Sequence, residues 1–122
     1  MKNCVDFYNL LCYHGKVIKR KGYRNMKFDF NKTKSLYNAM LSLENIDECK
    51  DFFEDIFTVK ELQDISQRFE VAIMLDKGKS YNEISECTGA STATISRVNR
   101  CLVYGNGGYK TIISRMKHLE DK

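Results

Sequence analysis

An all-α fold is what this sequence predicts, and three observations carry the prediction. The 122 residues contain no proline and only seven glycines, which leaves little of the punctuation that sheets and long loops need. From Met26 onward apolar residues recur at steps of three and four. No segment alternates convincingly with period two, so no sheet is expected.

Residues 1–25 stand apart from the rest. They carry six basic side chains against the single acid Asp6 and show no sustained helical period. No uninterrupted apolar run followed by a small-x-small cleavage site is present, so the segment does not read as a secretory signal. The basic stretch at residues 16–24 would suit contact with phosphates as an arm. Met26, however, opens the periodic sequence. Residues 1–25 are therefore expected to be a disordered tail or translated upstream sequence, and the working domain is expected at residues 26–122.

Six helices follow in order. Asn31 or Thr33 opens the first, with Leu36, Met40 and Leu43 on one face. Asn45 or Asp47 opens a short second helix that carries Cys49, Phe52, Phe53, Ile56 and Phe57. Thr58-Val-Lys-Glu61 is a capping box, in which hydroxyl and carboxylate each satisfy an orphan amide. It starts a long helix whose apolar stripe is Val59, Leu62, Ile65, Phe69, Ala72 and Ile73, and Gly78 stops it. Ser80-Tyr-Asn-Glu83 is a second box opening a short fourth helix, which Gly89 ends. Ser91 or Thr92 caps the fifth, running to Leu102 or Tyr104. Gly105-Asn106-Gly107-Gly108 breaks the chain, and the sixth helix carries Ile112, Ile113, Met116 and Leu119. Residues 36–57 hold twelve apolar side chains in twenty-two, too many for one face of short helices. A homodimer through the helices of residues 34–76 is expected to cover them.

Composition narrows the function. Five cysteines without a CxxC pair argue against a zinc ribbon or a disulfide framework and point to reduced thiols in the cytoplasm. His14 and His118 have no cysteine, serine or carboxylate partner at triad or metal-like spacing, and no glycine-rich phosphate loop follows a strand. Neither an enzyme nor a cofactor or metal is expected. Charge is polarised: residues 44–64 hold eight acids against two lysines, whereas residues 77–117 hold seven basic side chains against Glu83 and Glu86. The acids Asp47, Glu48, Asp51, Glu54 and Asp55 lack the glycine-centred loop of an EF-hand and read as a solvated face. A non-enzymatic protein-interaction module using the acidic face 44–64 is the alternative function.

A short helix, a glycine turn and a polar-capped helix at about 80–102 fit a helix-turn-helix. Two closely crossing helices need a turn residue free to take positive φ, and Gly89 supplies it. Ile84, Ala90, Ile95 and Val98 fall on the side that would face the body. On the other side of the fifth helix lie Ser91, Thr92, Ala93, Ser96, Arg97 and Arg100. Short polar residues at its start allow close entry to a major groove, and the helix dipole there favours phosphate. Arg97 and Arg100 are long enough for guanine edges or the backbone. Thr94 joins the polar set at the helix start, and Lys77 and Lys79 suit phosphates just before the fourth helix. Double-stranded DNA is the expected partner.

The stretch from Tyr81 to Tyr104, with its core Thr88-Gly-Ala-Ser-Thr-Ala-Thr-Ile-Ser-Arg97, resembles the Trp repressor superfamily, in particular its YerC/YecD-type TrpR-related proteins. The resemblance extends from about Lys34 to Lys117. It implies a sequence-specific DNA-binding regulator, an intertwined homodimer with the helix at 91–102 in the major groove, and a roughly palindromic operator. It also implies a candidate ligand pocket, because Arg68 and Arg97 match the two arginines that sandwich the indole of tryptophan in that family. Val98 stands where the family has a small residue, and Cys101 stands where a serine helps hold the ligand's amino group. Those two departures argue against tryptophan as the effector.

Overall fold

The computed structural model describes residues 30–120 together with the backbone of residues 10–13 and 16–19. Six helices occur among the described residues: α1 (Phe30–Leu41), α2 (Ile46–Ile56), α3 (Val59–Asp76), α4 (Tyr81–Thr88), α5 (Thr92–Tyr104) and α6 (Gly108–Glu120). The all-α class holds for all of residues 30–120. One feature departs from it. Strand β1 (Leu10–Tyr13) pairs antiparallel with β2 (Lys16–Lys19), Leu10 opposite Lys19 and Tyr13 opposite Lys16. No sheet was expected because neither segment alternates polar with apolar. The available signal was different: two short runs with Tyr13, Val17 and Ile18, flanking a two-residue connection that contains Gly15. The rest of the basic stretch at residues 16–24 lies outside the described residues.

The chain divides into two compact units, Met1–Thr58 and Val59–Lys122. This break falls between α2 and α3, and the expected boundary at Met26 lies outside the described residues. Its physical basis is the placing of the core, since no residue from 31 to 58 is buried. In the first unit Asn45 caps α2 by accepting the Glu48 N–H at 2.9 Å, and the Glu48 carboxylate reaches back to the Glu44 N–H at 3.0 Å. Asp47 and Glu48 thus sit in the first turn, where the helix dipole favours them. Phe53 stacks edge-on against Phe57 with centroids 5.5 Å apart. Leu41 and Ile46 remain 85% and 82% exposed.

The second unit is built around α3, which packs against α4, α5 and α6. Its core is Val71, Ala72, Ile84, Ala90, Ile95, Val98, Leu102 and Ile113. All four residues expected to turn the helix-turn-helix toward the body are in it. Ile95, Val98 and Leu102 step by three and four along α5, so one stripe of that helix is buried. The expected stripe of α3 is only partly used. Ala72 is buried and Phe69 and Ile73 pack against the core, but Val59 and Ile65 are exposed. Val71, outside that stripe, is fully buried. The α3 stripe is longer than the body formed by α4–α6, which covers only its C-terminal half.

Local chemistry fixes the joints. At the end of α3 the Lys79 N–H donates to the Met74 carbonyl at 3.1 Å and the Gly78 N–H to Leu75 at 3.0 Å, with Gly78 at φ 75°, a Schellman closure. Ser80 then starts α4 with a complete capping box: its hydroxyl accepts the Glu83 N–H, and its own N–H donates to the Glu83 carboxylate at 2.8 Å. That backbone N–H, with the Ser80 hydroxyl and Lys79, holds the Glu83 carboxyl below its ordinary pKa. Gly89 turns the chain at φ 71°. Gly105 ends α5, and a Cβ there would collide with the Cys101 carbonyl. An ion pair from Lys117 to Asp76 ties α6 to the end of α3.

Truncating Ile84 to Ala is expected to cost about 2–5 kcal/mol, because the cavity would open between three helices. Gly89→Ala is expected to cost about 1–2 kcal/mol through its positive φ, since nothing within van der Waals collision distance opposes the added methyl. Urea unfolding of both variants checks this. A Gly89→Ala protein as stable as the parent would mean that the turn does not need the left-handed conformation.

Candidate nucleic-acid interface

The α4–Gly89–α5 unit presents two opposite sides. One is the apolar contact with α3. The other begins at the α5 N-terminus, where Thr92 and Ala93 are exposed, and continues through half-buried Ser96 to exposed Arg97 and Arg100. The first turn of α5 contains no acid, and none occurs between residues 87 and 119. Exposed amides of a helix N-terminus and two guanidinium groups on one side make a surface suited to an anionic polymer.

Not every residue expected on that surface is equally available. The Ser91 hydroxyl accepts the Thr94 N–H at 3.2 Å and donates to the Thr94 hydroxyl at 3.1 Å, so both side chains serve the cap of α5. Thr94 is half-buried. Lys79 is exposed, but its ammonium lies 3.5 Å from the Glu83 carboxylate, one turn along. A pair of that exposure is weak, and a phosphate can compete for the lysine. Lys77 is exposed at the end of α3.

Arg68 on α3 and Arg97 on α5 are both exposed. Both guanidinium groups act on the Tyr109 phenol. Burial first, and the neighbouring Cys101 sulfur second, push the Tyr109 pKa above its ordinary value, while the two arginines pull against them. The Tyr109 ring stacks on Phe69 with centroids 6.4 Å apart and planes 17° from parallel. Beside this pair lies an open cavity of about 490 Å³, lined by Phe69, Cys101, Tyr109, Ile112 and the glycine loop. Val98 belongs to the core, 2% exposed. Its branched side chain therefore fills the body instead of standing in the open beside the arginines. Tyr109 stands directly after the glycine breaker in the sequence, and no motif singles it out. Its nearness to Arg68 and Arg97 depends on three helices meeting, which no local spacing reports.

The acidic segment forms no comparable site. Lys50 and Lys60 each lie one turn from an acid, Glu54 and Asp64, at 3.9 and 3.2 Å. Among the described residues no group of three or more His, Cys, Asp or Glu side chains could hold a metal ion. Nor is any described helix long and apolar enough to cross a membrane.

Comparison with known proteins agrees with this architecture. The family model for the Trp repressor protein matches residues 31–117. The protein YerC of Bacillus subtilis strain 168 is 52% identical over 85 residues, spanning 70% of this chain and 82% of its own. Two crystal structures are similar. A TrpR-like protein from Eubacterium eligens superposes with a TM-score of 0.68 at 53% identity, covering 71% of this chain and 95% of its own. A candidate Trp repressor from Staphylococcus aureus gives 0.71 at 45% identity, covering 79% and 96%.

The shared electrostatics of Arg68, Arg97 and Tyr109 can be checked by carbon NMR of the tyrosine ring. Tyr109 is expected to titrate above its ordinary value of 10.0, and Arg68→Met should move it higher still, because a guanidinium that favours the phenolate is gone. An unchanged titration in Arg68→Met would mean that Arg68 does not reach the ring.

Proposed function

Because the chain belongs to the Trp repressor family, we propose that it is a sequence-specific DNA-binding transcriptional regulator that places α5 in the major groove. The observation that carries this reading is the acid-free outward side of α5, opposite a helix-turn-helix core that is closed by Ile84, Ala90, Ile95 and Val98. Thr92, Ala93 and Ser96 are short enough to let the helix approach base edges. Arg97 and Arg100, three residues apart, project along the groove. Ser91 and Thr94 set the start of the helix through the cap they share, and Lys79 adds a flanking contact to phosphate.

The regulator acts as a homodimer, and its operator is roughly palindromic. Two recognition helices read successive major grooves when they stand about 34 Å apart. Supporting this are the apolar side chains left exposed in each unit: Leu41 and Ile46 in the first, Val59 and Ile65 in the second. Tryptophan is not its effector. Cys101 in place of a hydroxyl offers a weak partner to an amino group, and Arg68 and Arg97 both favour the charged form of the Tyr109 phenol.

Selection of bound genomic fragments, followed by affinity measurements on a recovered duplex and a scrambled one across a salt series, tests the function. Affinity should fall steeply with salt. Arg100→Ala is expected to weaken binding to both duplexes and reduce the salt slope by about one, whereas Thr92→Val should mainly change sequence preference. If Arg100→Ala leaves both affinities and the slope untouched, the groove-facing side is assigned wrongly. Sedimentation should show a dimer at micromolar concentration, and tight, specific DNA binding by a monomer would refute the dimer.

A further inference from the structure

We infer that Gln67 is a positioning residue for sequence discrimination: its side-chain amide, held on α3, sets where the turn before the recognition helix sits. The inference rests on the DNA-binding reading and goes beyond it, because Gln67 lies on the body side of the motif and is not among the proposed DNA contacts.

The motif has a weak joint. Helix α4 is only eight residues long, too short to be rigid on its own account, and its last carbonyls have no partner within the helix. The Ser85 carbonyl is taken by the Gly89 N–H at 2.9 Å. The Thr88 carbonyl is taken from outside, by the Gln67 amide nitrogen at 3.0 Å across 21 residues of sequence. A carbonyl oxygen only accepts, so the NH2 end of the glutamine must face it. Thr88 is in turn the hub of the turn. Its hydroxyl donates to the Ile84 carbonyl at 2.7 Å and accepts the Ala90 N–H at 3.2 Å. Ala90 immediately precedes Ser91, the N-cap of α5. One chain of hydrogen bonds thus runs from the middle of α3, through the turn, to the residue before the recognition helix. Its origin is anchored, since Val71, one turn beyond Gln67, is fully buried. The amide nitrogen also lies 4.0 Å from where a Gly89 Cβ would be, so the side chain lies directly against the turn.

Base edges tolerate little displacement, about 0.5 Å for a productive hydrogen bond. Long arginine and lysine side chains follow phosphates through larger shifts. Loosening the turn should therefore cost discrimination and leave non-specific affinity nearly intact.

Two variants test this in the full-length protein. Gln67→Met keeps the length and apolar stem but cannot donate, and Gln67→Glu sets a carboxylate against the Thr88 carbonyl. Affinities for a genomic duplex recovered by selection and for its scrambled counterpart are measured across a salt series. Hydrogen exchange of residues 88–94 is followed in the free protein. The ratio of the two affinities should fall about five- to tenfold in Gln67→Met and further in Gln67→Glu. Scrambled-duplex affinity and salt slope should stay within about twofold of the parent, and exchange at residues 88–94 should accelerate. An unchanged ratio overturns the inference, and so does an equal loss on both duplexes, which is the mark of a merely structural role. A reduced ratio without faster exchange overturns it as well, since the effect would not run through the turn. Failure of the parent protein to bind either duplex in a salt-dependent way would instead bring down the DNA-binding reading itself.

Discussion

Helix α3 is the constraint on which the working half of this molecule depends. A helix of eight residues and one of thirteen, joined by a three-residue turn, do not hold a fixed crossing by themselves. They hold it here because Ile84 from α4 and Ile95 and Val98 from α5 close on Val71 and Ala72 of α3. The same helix supplies the Gln67 amide at the turn and, through Asp76, the ion pair that retains α6. Apolar burial provides the cohesion, and the directional bonds choose one arrangement among those that burial alone would permit.

Charge then gives the two sides of the motif different uses. The side toward α3 contains no buried charged or polar residue. The outward side contains cations and no acid along α5. Such a division attracts a polyanion from a distance, and the short residues Thr92, Ala93 and Ser96 allow it to come close. The acids are gathered elsewhere, on α2 and the start of α3, where they cap helices or pair with nearby lysines.

The arginines matched to the family's ligand pocket have a counterpart in the electrostatics of Tyr109. Arg68 and Arg97 are both present, yet an aromatic ring from α6 lies within their field and is packed against Phe69. The recognition helix packs against both α3 and α6. The adjoining cavity is open and mostly apolar at its walls, with Cys101 at its edge.

The sequence by itself determined the six helices, the caps of α2, α4 and α5, and the helix-turn-helix; α1 begins at Phe30, just ahead of the expected Asn31 or Thr33. These rest on local chemistry: Ser80 and Glu83 satisfy each other's amides, Gly89 as a glycine adopts the left-handed turn without strain, and Ile84, Ile95 and Val98 recur at helical spacing. The outward residues of α5 were legible for the same reason, because the buried face of a helix fixes its opposite. The paired strands at residues 10–19 were not read, since their side chains do not alternate and the pairing lies in the backbone. Only the tertiary structure decided which half of the α3 stripe is covered, that Val71 is in the core, and that Tyr109 of α6 stacks on Phe69 of α3. Each of those outcomes depends on where separate helices come together in space, and periodicity along one helix carries no information about its neighbours.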